Sequence, residues 1–158
     1  MDNRPYFHLV FRPNIKLVST VRRFAGEFYR RVLVDQELAS RLALATHEML
    51  ENAVAYANDE ETAVRIEIDG DLLSVRTWNK AAPERLAAIT SGIDRVMAAD
   101  DPDLYYQQQM SVASKRSDGS GLGLARIRNE AEMNLSYEID NDKVCIRAVA
   151  KIVGGLNP

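Results

Sequence analysis

The chain has 158 residues, of which 46% are apolar and 27% are charged, and its formal net charge is −3. These values suit one globular domain with a real core and argue against a nucleic-acid binder. We see no stretch long enough to span a bilayer and no signal peptide, so we expect a cytoplasmic protein with no membrane partner. The single cysteine, Cys145, lies in an apolar stretch and is predicted to be a buried thiol.

Hydrophobic periodicity predicts ten elements, with strands where apolar residues alternate and helices where they recur every three or four positions. In chain order these are a strand over 6–11, helices over 17–34 and 35–57, strands over 62–68 and 72–78, helices over 83–97, 104–113 and 122–133, and strands over 135–139 and 144–149. Hairpins beside grouped helices indicate an α+β two-layer sandwich, with a mixed, mostly antiparallel sheet and helices on one face. We expect a single domain over 1–158 with a loose tail from about 153.

Two polar residues on the second predicted helix, Glu48 and Asn52, are four positions apart and therefore share a face. A carboxylate in this position can accept a proton from a water or a hydroxyl group. An amide oxygen one turn away is a hard ligand suited to Mg²⁺ and can also contact phosphates. Taken alone, the pair favours the simpler interpretation of two side chains that face solvent.

A glycine-rich segment precedes the helix predicted over 122–133, and it contains Gly119, Gly121 and Gly123. Alternating glycines leave backbone N–H groups uncovered, and the start of the helix adds its positive dipole end. Together they form a cradle suited to phosphate, although a flexible turn before a helix would look similar. Lys115 and Arg116 either close over a polyphosphate or are ordinary loop charges.

Together, these segments resemble two motifs of the GHKL superfamily, the ATP-binding fold shared by gyrase, histidine kinases and MutL. The run from His47 to Ala53 is similar to its N box, and the run from Gly119 to Leu124 is similar to its second glycine box. The resemblance covers about residues 15 to 150 and implies a Bergerat-type ATP-binding fold. It implies ATP and Mg²⁺ as ligands, with Glu48 as general base and Asn52 holding Mg²⁺. The phosphates would lie against Lys115, Arg116, Gly119, Gly121, Leu122 and Gly123.

The sequence departs from the family at the first glycine box, where an aspartate normally binds the adenine amino group. The corresponding segment, 75–83, contains neither aspartate nor glycine, and Asn79 is the nearest substitute. Its amide could still reach the edge of a base. The resemblance thus marks the phosphate end of a nucleotide site more clearly than its base end.

A chain this short is similar to the stand-alone anti-sigma-factor serine kinases, and somewhat to the SiaB-type kinases among them. This implies a serine/threonine kinase whose partner is a small regulatory protein, such as a sigma factor, an anti-anti-sigma-like protein or another acceptor. Homodimers are common in that group. The alternatives are a regulatory binding module that has lost nucleotide chemistry along with the first glycine box, and a plain ATPase.

Overall fold

The computed structural model describes residues 4–57, 61–113 and 122–158. The elements, in chain order, are β1 (Tyr6–Phe11), α1 (Ile15–Val32), α2 (Gln36–Tyr56), β2 (Thr62–Asp69), β3 (Leu72–Lys80), α3 (Pro83–Ala98), α4 (Pro102–Ala113), α5 (Leu122–Asn129), β4 (Asn134–Asp140) and β5 (Lys143–Lys151). Within these residues, no helix is both long and apolar enough to cross a membrane.

The five strands form one open sheet in the order β1-β2-β3-β5-β4. Two hairpins, β2–β3 and β4–β5, are joined at the centre of the sheet, where β3 pairs with β5. The α+β prediction is therefore confirmed, with one correction. All four strand pairs are antiparallel, whereas a mixed sheet was expected, because the connection through α3, α4 and α5 leads to the edge strand β4, and the β4–β5 hairpin then places β5 antiparallel to β3.

The core lies between the helices and one face of the sheet. Alternate residues of β2, β3 and β5 are buried on this face, as the strict alternation in the sequence predicts. The helices bury apolar stripes against them, including Leu42 and Met49 of α2 and Ile93 of α3. Packing between α2 and both β3 and α5 places the two candidate motifs in one part of the fold.

Side-chain caps fix where the first two helices begin. Asn14 Oδ1 accepts a hydrogen bond from the Lys16 N–H at 2.9 Å, so α1 begins two residues earlier than its apolar pattern suggests. Asp35 Oδ1 accepts hydrogen bonds from the N–H groups of Glu37 and Leu38, so Asp35 is the N-terminal cap of α2.

The C-terminal residues pack against the end of α1, which corrects the expectation of a loose tail. Leu156 forms a β-bridge with Leu33, and the Asn157 side chain donates hydrogen bonds to the carbonyls of Arg31 and Leu33 at 2.9 and 3.0 Å. These carbonyls lie at the end of a helix and lack partners within it. The tail thus serves as a C-terminal cap for α1.

Candidate functional site

The two N-box residues lie on α2 in different environments. The Glu48 side chain is buried, and its Oε1 accepts a hydrogen bond from Arg126 Nη1 of α5 at 3.1 Å. The Asn52 side chain is half-buried and makes no hydrogen bond to any residue within 4–57, 61–113 or 122–158. The carboxylate is therefore already engaged, whereas the amide one turn further along is open to a ligand.

Gly123, the second residue of α5, makes the closest contact between the two motifs. A Cβ atom at this position would overlap with Glu48 Oε2 and would lie 3.3 Å from Glu48 Cδ. Only a glycine allows the Glu48 carboxylate to lie directly against the α5 backbone. The structure thus gives Gly123 a role that the sequence did not suggest, which is to make room for Glu48.

A polar network extends from Glu48 across three helices. Arg126 Nε donates to the Tyr106 hydroxyl of α4 at 3.4 Å, and this hydroxyl donates to Glu130 Oε1 at 2.7 Å. The hydrogen bonds to Tyr106 and to Glu48 raise the pKa of Arg126 above its usual value, so this side chain remains protonated. The network joins α2, α4 and α5 around the predicted phosphate site.

The start of α5 supplies the remaining groups of the phosphate end that can be located. Leu122 and Gly123 are its first two residues, and the first N–H groups of a helix have no partner within it. These groups suit an anion. The predicted phosphate-binding residues Lys115, Arg116, Gly119 and Gly121 lie outside the described residues.

The base end is predicted at the last part of β3, where polar residues interrupt the buried face of the sheet. Asn79 is 2% exposed, and its amide nitrogen donates one long hydrogen bond of 3.3 Å to the Lys80 carbonyl. Thr77, two residues earlier, and Thr62 on β2 are fully buried, and neither hydroxyl has a hydrogen-bond partner in the described part of the protein. The antiparallel register places Thr62 at the level of Asn79.

These residues fit an adenine nucleotide with Mg²⁺. Buried hydroxyl groups without partners are costly, and a ligand that supplies partners relieves this cost. An amide such as that of Asn79 both donates and accepts hydrogen bonds, as the edge of a base requires. The free amide oxygen of Asn52 is the kind of hard ligand that Mg²⁺ prefers. Within the described ranges, no cluster of histidine, cysteine or carboxylate side chains could hold a metal alone.

Sequence reasoning missed Arg126, Tyr106 and the two threonines, and all of these except Tyr106 left a trace in the sequence. Arg126 lies three residues after the last glycine of the loop, on the face of α5 that includes Gly123. Thr62 and Thr77 stand in inward positions of strands that are otherwise apolar. A polar residue in a buried row is a detectable signal, because it must find a partner. Tyr106, in a helix of weak periodicity, gave no comparable signal.

Comparison with known proteins agrees with this geometry. A family model described as the histidine kinase-like ATPase domain matches residues 11–150. No curated protein matches the chain. A chain from the crystal structure of the SiaB–SiaC complex from Pseudomonas aeruginosa superposes with a TM-score of 0.68 at 19% sequence identity, covering 90% of this chain and 88% of that one. At this identity the likeness shows a shared fold, and the family match extends over most of the sequence. The chain belongs to the family of histidine kinase-like ATPase domains.

Proposed function

We propose that the protein is an ATP- and Mg²⁺-dependent serine/threonine protein kinase that phosphorylates a small regulatory partner. The observation that supports this most directly is the contact between Glu48 of α2 and the beginning of α5 at Gly123. It brings a carboxylate, a free amide at Asn52 and a helix N-terminus into one region. A general base, a metal ligand and an anion site are the groups that phosphoryl transfer needs.

Each described residue then has a defined part in the transfer. Asn52 holds Mg²⁺, which when bound would neutralise charge on the phosphates. Glu48 accepts the proton of the partner's hydroxyl group as that oxygen bonds to the γ-phosphorus and ADP leaves. Arg126 competes with the hydroxyl for Glu48 Oε1, so it must share or release the carboxylate when the partner binds.

The base end would complete the nucleotide site. Asn79 presents its amide to the base edge, and the hydroxyls of Thr62 and Thr77 supply further donors and acceptors. This arrangement would replace the aspartate that the resemblance leads us to expect. Most of the binding energy would still come from the phosphates and Mg²⁺.

The partner would be a small acceptor protein, which is consistent with the fold shared with a chain of the SiaB–SiaC complex. A second copy of the chain is an additional candidate partner. β1 is an edge strand with exposed Tyr6, Leu9 and Val10, and edge strands of this kind favour pairing with another chain.

A binding module without catalysis is the second candidate function. It is favoured by the absence of an aspartate and of glycines between 75 and 83, and by the ion pair that engages Glu48. Such a protein would regulate its partner by docking alone, with the nucleotide site empty or weakly occupied.

The kinase and the binding module can be distinguished by incubating the protein with γ-labelled ATP, Mg²⁺ and small proteins encoded beside it. The kinase predicts a label that is stable to acid, unlike phosphohistidine, and to hydroxylamine, unlike an acyl phosphate, and that maps to a serine or threonine of one partner. If ATP binds but no label moves to any candidate, the kinase proposal fails. Stable complex formation without ATP would then support the binding module.

A further inference from the structure

The face of the sheet opposite the helices carries a row of basic residues. His8, Arg65, Arg76 and Arg147 lie directly opposite one another on β1, β2, β3 and β5. Side chains on this face are half-exposed, unlike the buried rows that face the helices. Like charges opposite each other on neighbouring strands are destabilising. Three adjacent arginines therefore need either internal partners or a ligand.

Only the first of the three arginines has internal partners within the described ranges. Arg65 Nε lies 2.8 Å from Glu67 Oε2, and its guanidinium group stacks 4.2 Å from the centre of the Tyr6 ring. Arg76 and Arg147 form no ion pair or hydrogen bond with residues that the structure describes, and Arg147 Nε is buried without a partner. Glu67 attracts Arg76 only at longer range, so within the described residues neither of these two neighbouring guanidinium groups is held by a direct ion pair.

Arg76 and Arg147 line a cavity of about 280 Å³ together with Trp78 and Cys145. Cys145 is half-buried here rather than in the core, which corrects the sequence prediction for this thiol. The reason is the register, because Cys145 lies opposite Trp78 on the outward row of β5. A second cavity of about 300 Å³ shares Trp78 and Cys145 and continues to Ile139. The two form one groove along the open face.

The remaining charges around the groove leave its arginine end positive. Glu138 of β4 borders both cavities but forms no ion pair with either arginine, as far as the described residues show. Lys143 and Asp140 face each other across β4 and β5 at the far end. The arginine end is therefore the anion-binding part, and Trp78 provides an aromatic surface beside it.

We propose that this groove binds a small phosphorylated molecule with a flat apolar body. The two guanidinium groups can donate several charge-assisted hydrogen bonds to the oxygens of a phosphate dianion. The body of the ligand would lie against the indole of Trp78, on the outward row of β3. This site is separate from the nucleotide site, because outward Arg76 and Trp78 alternate along β3 with inward Thr77 and Asn79.

Trp78 is the only tryptophan in the chain, so its fluorescence reports on this groove directly. Titration with phenyl phosphate should give a saturable change in emission, whereas benzyl alcohol, which lacks the charge, should give none at the same concentrations. Arg76→Gln and Arg147→Gln should each weaken binding by about tenfold or more. Arg65→Gln is the matched control, since that arginine is already paired with Glu67, and Asn52→Ala should also titrate normally.

Three results would overturn the proposal. The first is no saturable change in emission up to about 10 mM phenyl phosphate, because two charge-assisted contacts should give a dissociation constant below this concentration. The second is binding that is unchanged in both Arg76→Gln and Arg147→Gln, with circular dichroism showing that each variant is folded. The third is emission that depends on protein concentration without ligand, together with a doubled mass by light scattering, which would mean that a second copy covers the groove.

Discussion

The phosphate end and the base end of the proposed nucleotide site are built in opposite ways. At the phosphate end, Glu48 is engaged by Arg126 and lies against Gly123. At the base end, the hydroxyls of Thr62 and Thr77 are buried without any partner that the structure describes. Apart from Asn52, the polar side chains described at the phosphate end are satisfied by the protein itself, whereas the base end leaves buried hydroxyl groups for a ligand to satisfy.

This difference indicates how the two ends would contribute to function. A preorganised end costs little to assemble when substrate binds, which favours positioning and catalysis. Buried polar groups without partners destabilise the free protein, and a ligand that forms hydrogen bonds with them removes this destabilisation. Substitutions at the phosphate end should therefore reduce phosphoryl transfer. Substitutions that remove a buried hydroxyl group at the base end should weaken nucleotide binding and stabilise the free protein.

The largest effect is expected at Glu48. Glu48→Gln removes the proton acceptor but keeps the shape of the side chain, so phosphoryl transfer should fall about 10²- to 10⁴-fold with nucleotide affinity nearly unchanged. Labelled-ATP transfer and calorimetry measure the two effects separately. Glu51→Gln is the control, because Glu51 is paired with His47 at 3.1 Å and lies outside the network. Equal losses in both variants would remove Glu48 from the catalytic role.

Gly123→Ala tests the close contact between the two motifs. The added methyl group would overlap with Glu48 Oε2, so the carboxylate must shift beside Arg126, and this overpacking should lower the free energy of unfolding by about 1 kcal/mol. Gly26→Ala in α1 is the control, since a Cβ there lies no closer than 3.8 Å to any neighbour. Chemical denaturation compares them. If Gly123→Ala is as stable as the control, Glu48 does not depend on this glycine.

Thr77→Val tests whether the base end is unsatisfied in the free protein. Removing a buried hydroxyl without a partner should stabilise the fold by about 1 kcal/mol, while nucleotide affinity falls several-fold. Thr46→Val is the opposite case, because the Thr46 hydroxyl lies 2.6 Å from the Tyr29 hydroxyl and donates to the Leu42 carbonyl at 2.8 Å. That variant should be less stable. A loss of stability in both would show that Thr77 is satisfied in the free protein.

The smallest effect is expected at Tyr106. Tyr106→Phe removes its hydrogen bonds with Glu130 and Arg126, one of them long, and should cost less than about 1 kcal/mol. Arg126 would still hold Glu48, so transfer should change less than in Gly123→Ala. A transfer loss as large as that of Glu48→Gln would mean that α4 controls the site.

The elements, and the position of Glu48 and Asn52 one turn apart on α2, could be predicted because their signals are local. Periodicity, the Asp35 cap and the spacing of Glu48 and Asn52 each involve residues close together in the sequence. Contacts between distant segments could not be predicted in this way. The ion pair of Glu48 with Arg126 spans 78 positions, and the docking of Asn157 on Arg31 spans 126. Such contacts depend on how helices and tail pack together, which no short pattern encodes.

Whether ATP fills this site is tested most directly by calorimetry of Mg-ATP binding to the intact protein and to Asn52→Ala. Asn52 is half-buried and makes no hydrogen bond to the residues described, so its replacement should leave the fold intact and remove a metal ligand. We expect binding of the order of micromolar affinity in the intact protein and none in the variant. No Mg-ATP binding by the intact protein, or equal binding by both, would contradict the proposal.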